Sequence, residues 1–209
     1  MKIEIDKTVR PSKIVCVGRN YADHAAELGN EVPKEPLLFL KAPSAVIFDG
    51  DEIVLPPYSR QVEHEGELAI VIGRKCARLD EEEDPLVYVR GYTCLNDVAA
   101  RDLQKTDGQF ARAKSFDTFC PVGPVVETEL DTADLRVVTR VNGEIRQDGR
   151  TSQMVFGVEF LIRYVSNMMT LLPGDVIATG TPSGVGPLTS GDVCEVEIEG
   201  IGKLTNIVK

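Results

Sequence analysis

The sequence predicts a strand-rich α+β fold, and three observations carry that reading. Many short apolar, β-branched runs are set apart by Gly, Pro and Asn turns. Only one segment keeps a helical period over several turns, and strands and helices do not alternate as a parallel βαβ array requires. The chain has 209 residues, 43% of them hydrophobic and 27% charged, which is enough to bury a core within one compact unit. It has no internal repeat, no low-complexity stretch and no linker long enough to separate a pair of large domains.

In chain order, Lys13 to Val17 reads as a buried strand running into Gly18-Arg19-Asn20. Tyr21 to Leu28 then reads as a two-turn helix, with Asn20 as N-cap, Asp23 at N3 and Gly29 as the C′ stop. Two turns are marginal alone, so this helix is either held by tertiary contacts or acts as a movable cover. Leu68 to Ile72, ahead of Gly73, reads as a central strand. Val137 to Val141 followed by Asn142-Gly143 predicts a hairpin with a type I′ turn. Val158, Leu161, Ile162, Val165 and Met169 share one face of the single long helix, whose methionines are expected to fill the core. Finally Cys194, Val196 and Ile198 alternate with Glu195, Glu197 and Glu199, a half-exposed strand whose glutamates are solvated and form no site.

Composition excludes several function classes. With 33 Asp+Glu against 23 Lys+Arg the formal charge is −10, which disfavours nucleic acid and anionic membranes as partners. A small anionic substrate is compatible if local cations or a metal offset that field. No apolar run nears the ~20 residues of a membrane span, and Met1 to Asp6 alternates with charges where a signal peptide carries an apolar block. The expected location is cytoplasmic. Five dispersed cysteines without a C-x-x-C pair spell neither a disulfide framework nor a zinc ribbon. They read as core residues. Two histidines, His24 and His64, are too few for a His-rich site, so a metal would need oxygen ligands.

The richest carboxylate source is Glu63-His64-Glu65-Gly66-Glu67. Strand period two places the three glutamates on one face and His64 on the other. Taken alone they suit an acidic loop end, but the next five residues are apolar, and unpaired carboxylates entering a core are costly. A hard divalent cation resolves that conflict. In Asn96-Asp97-Val98-Ala99-Ala100-Arg101-Asp102, where a strand turns into a helix, either aspartate serves as ligand, cap or partner of Arg101, with position favouring Asp97. Lys114 is either surface charge or, if its segment folds over the carboxylates, a counter-ion for an anionic substrate. Thr179 to Pro187 lacks P-loop and dinucleotide spacings and is either a sharp turn or a set of N–H groups and hydroxyls that holds a carboxylate. His24 and Glu27, at i and i+3, form either a surface pair or an oriented imidazole able to activate water.

Together these segments resemble the fumarylacetoacetate hydrolase superfamily, closest to its short single-domain acylpyruvase and oxaloacetate decarboxylase members. The resemblance runs from Val17-Gly18-Arg19-Asn20-Tyr21-Ala22-Asp23-His24 through His64-Glu65-Gly66-Glu67-Leu68, Asn96 to Asp102 and Ala113-Lys114-Ser115-Phe116-Asp117 to Gly180 to Pro187. One departure is Glu63, where the family often has a first histidine.

The resemblance implies a single catalytic domain over 1–209, with a segment 1–55 carrying a lid helix and a core β-sandwich or β-roll over 56–209. It implies Glu65, Glu67 and Asp97 as ligands of Mg²⁺ or Mn²⁺, His24, Glu27 and Lys114 as catalytic residues, and Arg19, Gln104 and Thr181 as substrate-binding residues. Glu63 is left as an outer carboxylate without a task. The implied activity is metal-dependent C–C cleavage of a small anionic 2-oxo acid, by acylpyruvate hydrolysis or oxaloacetate decarboxylation through an enolate, in a homodimer. Two rivals stand beside it. One is a 2-hydroxyhepta-2,4-diene-1,7-dioate isomerase or related decarboxylase, which Asp117 to Pro124 also resembles; the other is a non-catalytic protein held together by its ion.

Overall fold

The structure, a computed structural model, describes residues 1–8 and 10–209. In chain order the strands are β1 (Lys2–Glu4), β2 (Ile14–Gly18), β3 (Leu37–Lys41), β4 (Val46–Phe48), β5 (Glu52–Ile53), β6 (Val62–His64), β7 (Gly66–Ile72), β8 (Val89–Asn96), β9 (Ala99–Ala100), β10 (Cys120–Glu127), β11 (Arg136–Val141), β12 (Glu144–Arg150), β13 (Val176–Ala178), β14 (Gly186–Pro187), β15 (Val193–Ile198) and β16 (Gly202–Val208). The α-helices are α1 (Ala22–Glu27), α2 (Arg101–Asp107), α3 (Ala111–Lys114) and α4 (Val158–Met168). This is the strand-rich α+β architecture that the sequence predicts.

An eight-stranded mixed sheet runs β1-β10-β8-β7-β13-β2-β3, with β4 also paired to β10. A five-stranded sheet runs β12-β11-β15-β16-β5, and β14-β6-β9 form a small third sheet. Strand period two sorts the large sheet's residues between two cores. On β2, Val15 and Val17 join the cluster that packs on the five-stranded sheet and α4, whereas Ile14 and Cys16 join the cluster beneath Ala45 to Phe48. With both faces covered, the strand reads as an unbroken apolar run. All five cysteines are buried and free, and burial pushes the Cys120 thiol up to about 12.

The Asn142-Gly143 turn has φ of 54° and 80°, as a type I′ hairpin requires. On α4, Val158, Leu161, Ile162 and Val165 are buried. Met169 packs against the core, but Met168 is 56% exposed and does not fill it. On β15 the glutamates face outward, Glu195 pairing with Lys203 and Glu197 with Arg140. No helix among the described residues is long and apolar enough to cross a membrane.

One capping expectation is overturned. Tyr21, not Asn20, precedes the first turn of α1, and no side chain caps it. The buried Asn20 amide is spent elsewhere: Nδ2 donates to the carbonyls of Thr179 (2.7 Å) and Phe156 (3.0 Å), and Oδ1 accepts from Phe156 N–H (2.8 Å). One of those bonds ties the root of α1 to the end of β13 and two tie it to the segment ahead of α4, a better use for a fully buried amide than one cap. Gly29 does adopt the left-handed conformation just after the helix.

Candidate active site

The antiparallel pairing of β7 with β8 builds the floor of the site. Gly66 sits opposite Asn96, and Asp97 N–H donates to the Glu65 carbonyl at 2.8 Å, so the end of one strand and the start of the other share an edge. Glu65, Glu67 and Asp97 are all buried and each places a carboxylate oxygen within 4.8 Å of the others. A small residue between the two glutamates is obligatory: a Cβ on Gly66 would lie 2.1 Å from Thr139 Oγ1.

Three cations surround these acids. Lys114 Nζ, at the end of α3, donates to Glu65 Oε2 and Asp97 Oδ2 at 2.8 Å each and to the Asp97 carbonyl at 3.2 Å. Lys41 Nζ reaches Asp97 Oδ1 at 2.5 Å. Arg101 forks between Glu63 (2.7 Å) and Glu65 (2.6 Å) and also donates to Gln104 Oε1 at 2.6 Å. Glu63 therefore has a task, anchoring Arg101, and a further bond from Gln61 completes it. With all four carboxylates ionised, Glu63, Glu65, Glu67 and Asp97 outnumber the three cations by one negative charge, the sign that suits a divalent cation.

Burial alone would raise the Glu65 carboxyl, but the charges of Lys114 and Arg101 outweigh it and hold that group below the usual carboxylate range. Glu67 behaves oppositely. Burial and the neighbouring Asp97 and Glu65 push it well up, although Gly180 N–H donates to Oε2 at 2.7 Å. Burial would lower Lys114; Asp97 and Glu65 reverse the sign and keep it charged.

A cavity of about 250 Å³ opens above the carboxylates. It brings together the expected Arg19, His24, Gln104, Lys114 and Thr181 with the three acids. Arg19 occupies the left-handed region (φ 58°), uncommon for a non-glycine residue and here imposed between the end of β2 and the Asn20 clamp. His24 is 5% exposed, so it is no surface residue, and its Nδ1 lies 3.3 Å from Glu27 Oε2. Glu27 stays outside the cavity lining and accepts from Gly184 N–H at 3.0 Å. The Thr179 to Pro187 loop does hold carboxylates with its N–H groups, and they are the protein's own Glu67 and Glu27.

Of the two aspartates weighed in the 96–102 segment, Asp97 joins the cluster and Asp102 does not. Asp102 accepts from Ser59 Oγ, Arg60 N–H and Leu103 N–H and is not the partner of Arg101. Lys41 is absent from the sequence-based candidates. Its one local signal is a charge that closes the apolar run Leu37-Leu38-Phe39-Leu40, and its partner is 56 residues away.

The donor set suits a hard cation: three buried carboxylates gathered where β7 begins and β8 ends, one of them steadied by a backbone N–H. Residues 13–209 match the Fumarylacetoacetate (FAA) hydrolase C-terminal family. The chain belongs to the fumarylacetoacetate hydrolase family. Among relatives of this family, the mitochondrial oxaloacetate tautomerase FAHD2A of Homo sapiens is 47% identical over 211 residues, covering 95% of this chain and 67% of the relative. The 2-hydroxyhepta-2,4-diene-1,7-dioate isomerase of Mycobacterium marinum superposes with a TM-score of 0.87 at 48% identity, covering 96% of this chain and 75% of that one. Fumarylpyruvate hydrolase of Pseudomonas aeruginosa, solved with Mn²⁺ and pyruvate, gives a TM-score of 0.89 at 30% identity, covering all of this chain and 95% of that one.

Proposed function

We propose that this member of the fumarylacetoacetate hydrolase family uses Mg²⁺ or Mn²⁺, held by Glu65, Glu67 and Asp97, to cleave a C–C bond of a small 2-oxo acid, the leaving fragment departing as an enolate. The observation that carries the reading is the convergence, in one cavity, of three buried carboxylates with Lys114 and a histidine whose far side is held by a glutamate. A bound divalent ion supplies positive charge to the oxygen on which the enolate forms.

The chain's own groups have separate tasks in this account. Lys114, its three N–H donors engaged by Glu65 and Asp97, fixes two ligand carboxylates and adds positive charge to the floor. Arg19 and Lys105 also line the cavity and suit the second anionic group of a dicarboxylate. Glu27 accepts from His24 Nδ1–H, leaving Nε2 to take or return a proton, either from a water attacking a distal acyl carbonyl or at the enolate carbon.

A second reading, proton relocation without cleavage, draws support from the relatives, since the human relative is an oxaloacetate tautomerase and the Mycobacterium marinum structure an isomerase. Both readings put an enolate oxygen at the ion and use the same residues: cleavage leaves the electron pair of the broken C–C bond on the departing fragment, whereas proton relocation leaves that of a C–H bond on the intact acid. They separate when oxaloacetate, an acylpyruvate and 2-hydroxyhepta-2,4-diene-1,7-dioate are followed by NMR with Mn²⁺ or Mg²⁺ and with chelator. Ion-dependent fragments or CO₂ support cleavage, and accelerated tautomer exchange or a shifted double bond without fragments supports the second reading. No ion-dependent change with any of the three overturns both.

A further inference from the structure

The strand β12 inverts the usual rule of burial. Ile145 is 52% exposed while Gln147, two residues on, is fully buried. The Gln147 amide uses all its hydrogen-bonding capacity. Oε1 accepts from Gly66 N–H at 3.0 Å and lies 3.2 Å from His64 Nδ1, while Nε2 donates to Thr181 Oγ1 at 2.7 Å and to the Pro182 carbonyl at 2.8 Å. An N–H can only donate and a carbonyl can only accept, so the amide orientation is fixed and His64 carries its proton on Nδ1. Burial lowers His64, which keeps this buried ring neutral.

One end of the amide grips the strand between the two glutamate ligands, and the other grips the loop after β13. Thr181 Oγ1 closes the ring by donating to the Gly66 carbonyl at 2.9 Å. The same loop continues to Gly184, whose N–H meets both oxygens of Glu27 at 3.0 and 3.2 Å, and Glu27 holds His24. The loop has no slack against β12. At Gly184, with φ of 97°, a Cβ would fall 2.0 Å from the Arg146 carbonyl.

We propose that Gln147, which does not line the cavity, is a positioning residue that locks the loop holding Glu27 to the start of β7, where Gly66 separates Glu65 from Glu67, and so sets where His24 stands relative to the ligand cluster. The proposal rests on the reading of His24 and Glu27 as the proton-transfer pair. Buried polar partners of this kind commonly change activity by roughly 10–100-fold when lost.

Gln147→Glu separates the two halves of the contact. It keeps an acceptor for Gly66 and His64 but sets a carboxylate oxygen against the Pro182 carbonyl. The measurements are amide hydrogen exchange over residues 22–29 and 181–187 in the metal-free protein, Mn²⁺ affinity, and kcat and KM with the substrate that the NMR screen identifies. The expected result is exchange faster by about tenfold or more in both segments, kcat lowered by a similar factor, and Mn²⁺ affinity and KM close to wild type. Unchanged exchange over 22–29, or unchanged kcat, overturns the coupling. If this variant does not fold, Glu27→Ala on the partly exposed helix gives the reciprocal test. Exchange over 181–187 should rise at amides beyond Gly184, and protection equal to wild type overturns the proposal. A wild-type protein without ion-dependent turnover would remove the functional reading, while the exchange data would still decide whether loop and helix are coupled.

Discussion

Lys41 Nζ lies 2.5 Å from Asp97 Oδ1, with both residues 1% exposed. Lys114 takes the other oxygen of the same carboxylate, so Asp97 is held from two sides and cannot rotate without leaving a buried cation unpaired. Lys41 also donates to the Val98 carbonyl, which pins the turn that carries Asp97. Lys41→Met, of similar length and without charge, should therefore lower ion-dependent activity by roughly 10–100-fold. Steady-state rates at saturating Mn²⁺ check this, and wild-type rates would show that Lys114 alone suffices to orient Asp97.

His24→Gln should lower kcat by about 10²–10⁴-fold, the usual contribution of a positioned acid or base, and leave Mn²⁺ binding intact. Glu27→Gln should be milder, because an amide oxygen in the place of Oε2 still accepts from His24 Nδ1 and, at 3.2 Å, from Gly184 N–H. A larger loss in Glu27→Gln than in His24→Gln, measured as kcat at saturating ion, would reverse the assigned order of the pair.

Gly66→Ala should both destabilise the protein and disturb the ligands on either side of it. The added methyl meets Thr139 Oγ1 at 2.1 Å and Val196 Cγ1 at 3.2 Å, so either β7 or the buried Thr139 side chain must move, at a cost of about 1–3 kcal/mol. Removing the Thr139 hydroxyl in a Gly66→Ala, Thr139→Ala double variant should restore some of the stability. Thermal denaturation of the two variants decides whether this contact or a general strand effect is responsible.

Acid stability should depend on Asp175, whose fully buried side chain accepts from Lys13 Nζ (2.6 Å), Leu172 N–H (2.8 Å) and Ser12 N–H and Oγ (2.8 and 2.7 Å). Burial would raise its carboxyl, but these bonds outweigh burial and hold it below the ordinary aspartate value. A carboxyl lowered on folding stabilises the protein above the unfolded-chain value and loses that contribution as pH falls through the folded one. Asp175→Asn should lower Tm at neutral pH, by an amount corresponding to about 1–3 kcal/mol, and flatten the acid limb of the Tm–pH curve. Parallel limbs for variant and wild type would contradict this.

The local patterns translate well into structure because they depend on neighbours in sequence. Alternation places Glu63, Glu65 and Glu67 on one face, the 3.6-residue period finds α4, and Asn142-Gly143 sets its turn. The polar clamps do not, since each is defined by a partner far along the chain. Asn20 has the right residue type and position for an N-cap, but its amide finds Thr179 and Phe156 more than 130 residues away. Gln147 lies two residues after Ile145, and a bulge in the β11–β12 pairing, where Thr139 faces Gln147 but Arg140 faces Ile145, turns the two side chains to opposite faces, which simple alternation does not show. Lys41 and Arg101 look like ordinary charges until β3 and α2 close over the carboxylates.

Glu65, Glu67 and Asp97 should together bind one divalent cation per chain. Electron paramagnetic resonance of free Mn²⁺ during titration tests it without any substrate. The account predicts a single saturable site in the wild-type protein that Glu67→Gln and Asp97→Asn each abolish while the circular dichroism spectrum is kept. Mn²⁺ uptake that is absent from the wild type, or equally strong in both variants, would contradict it.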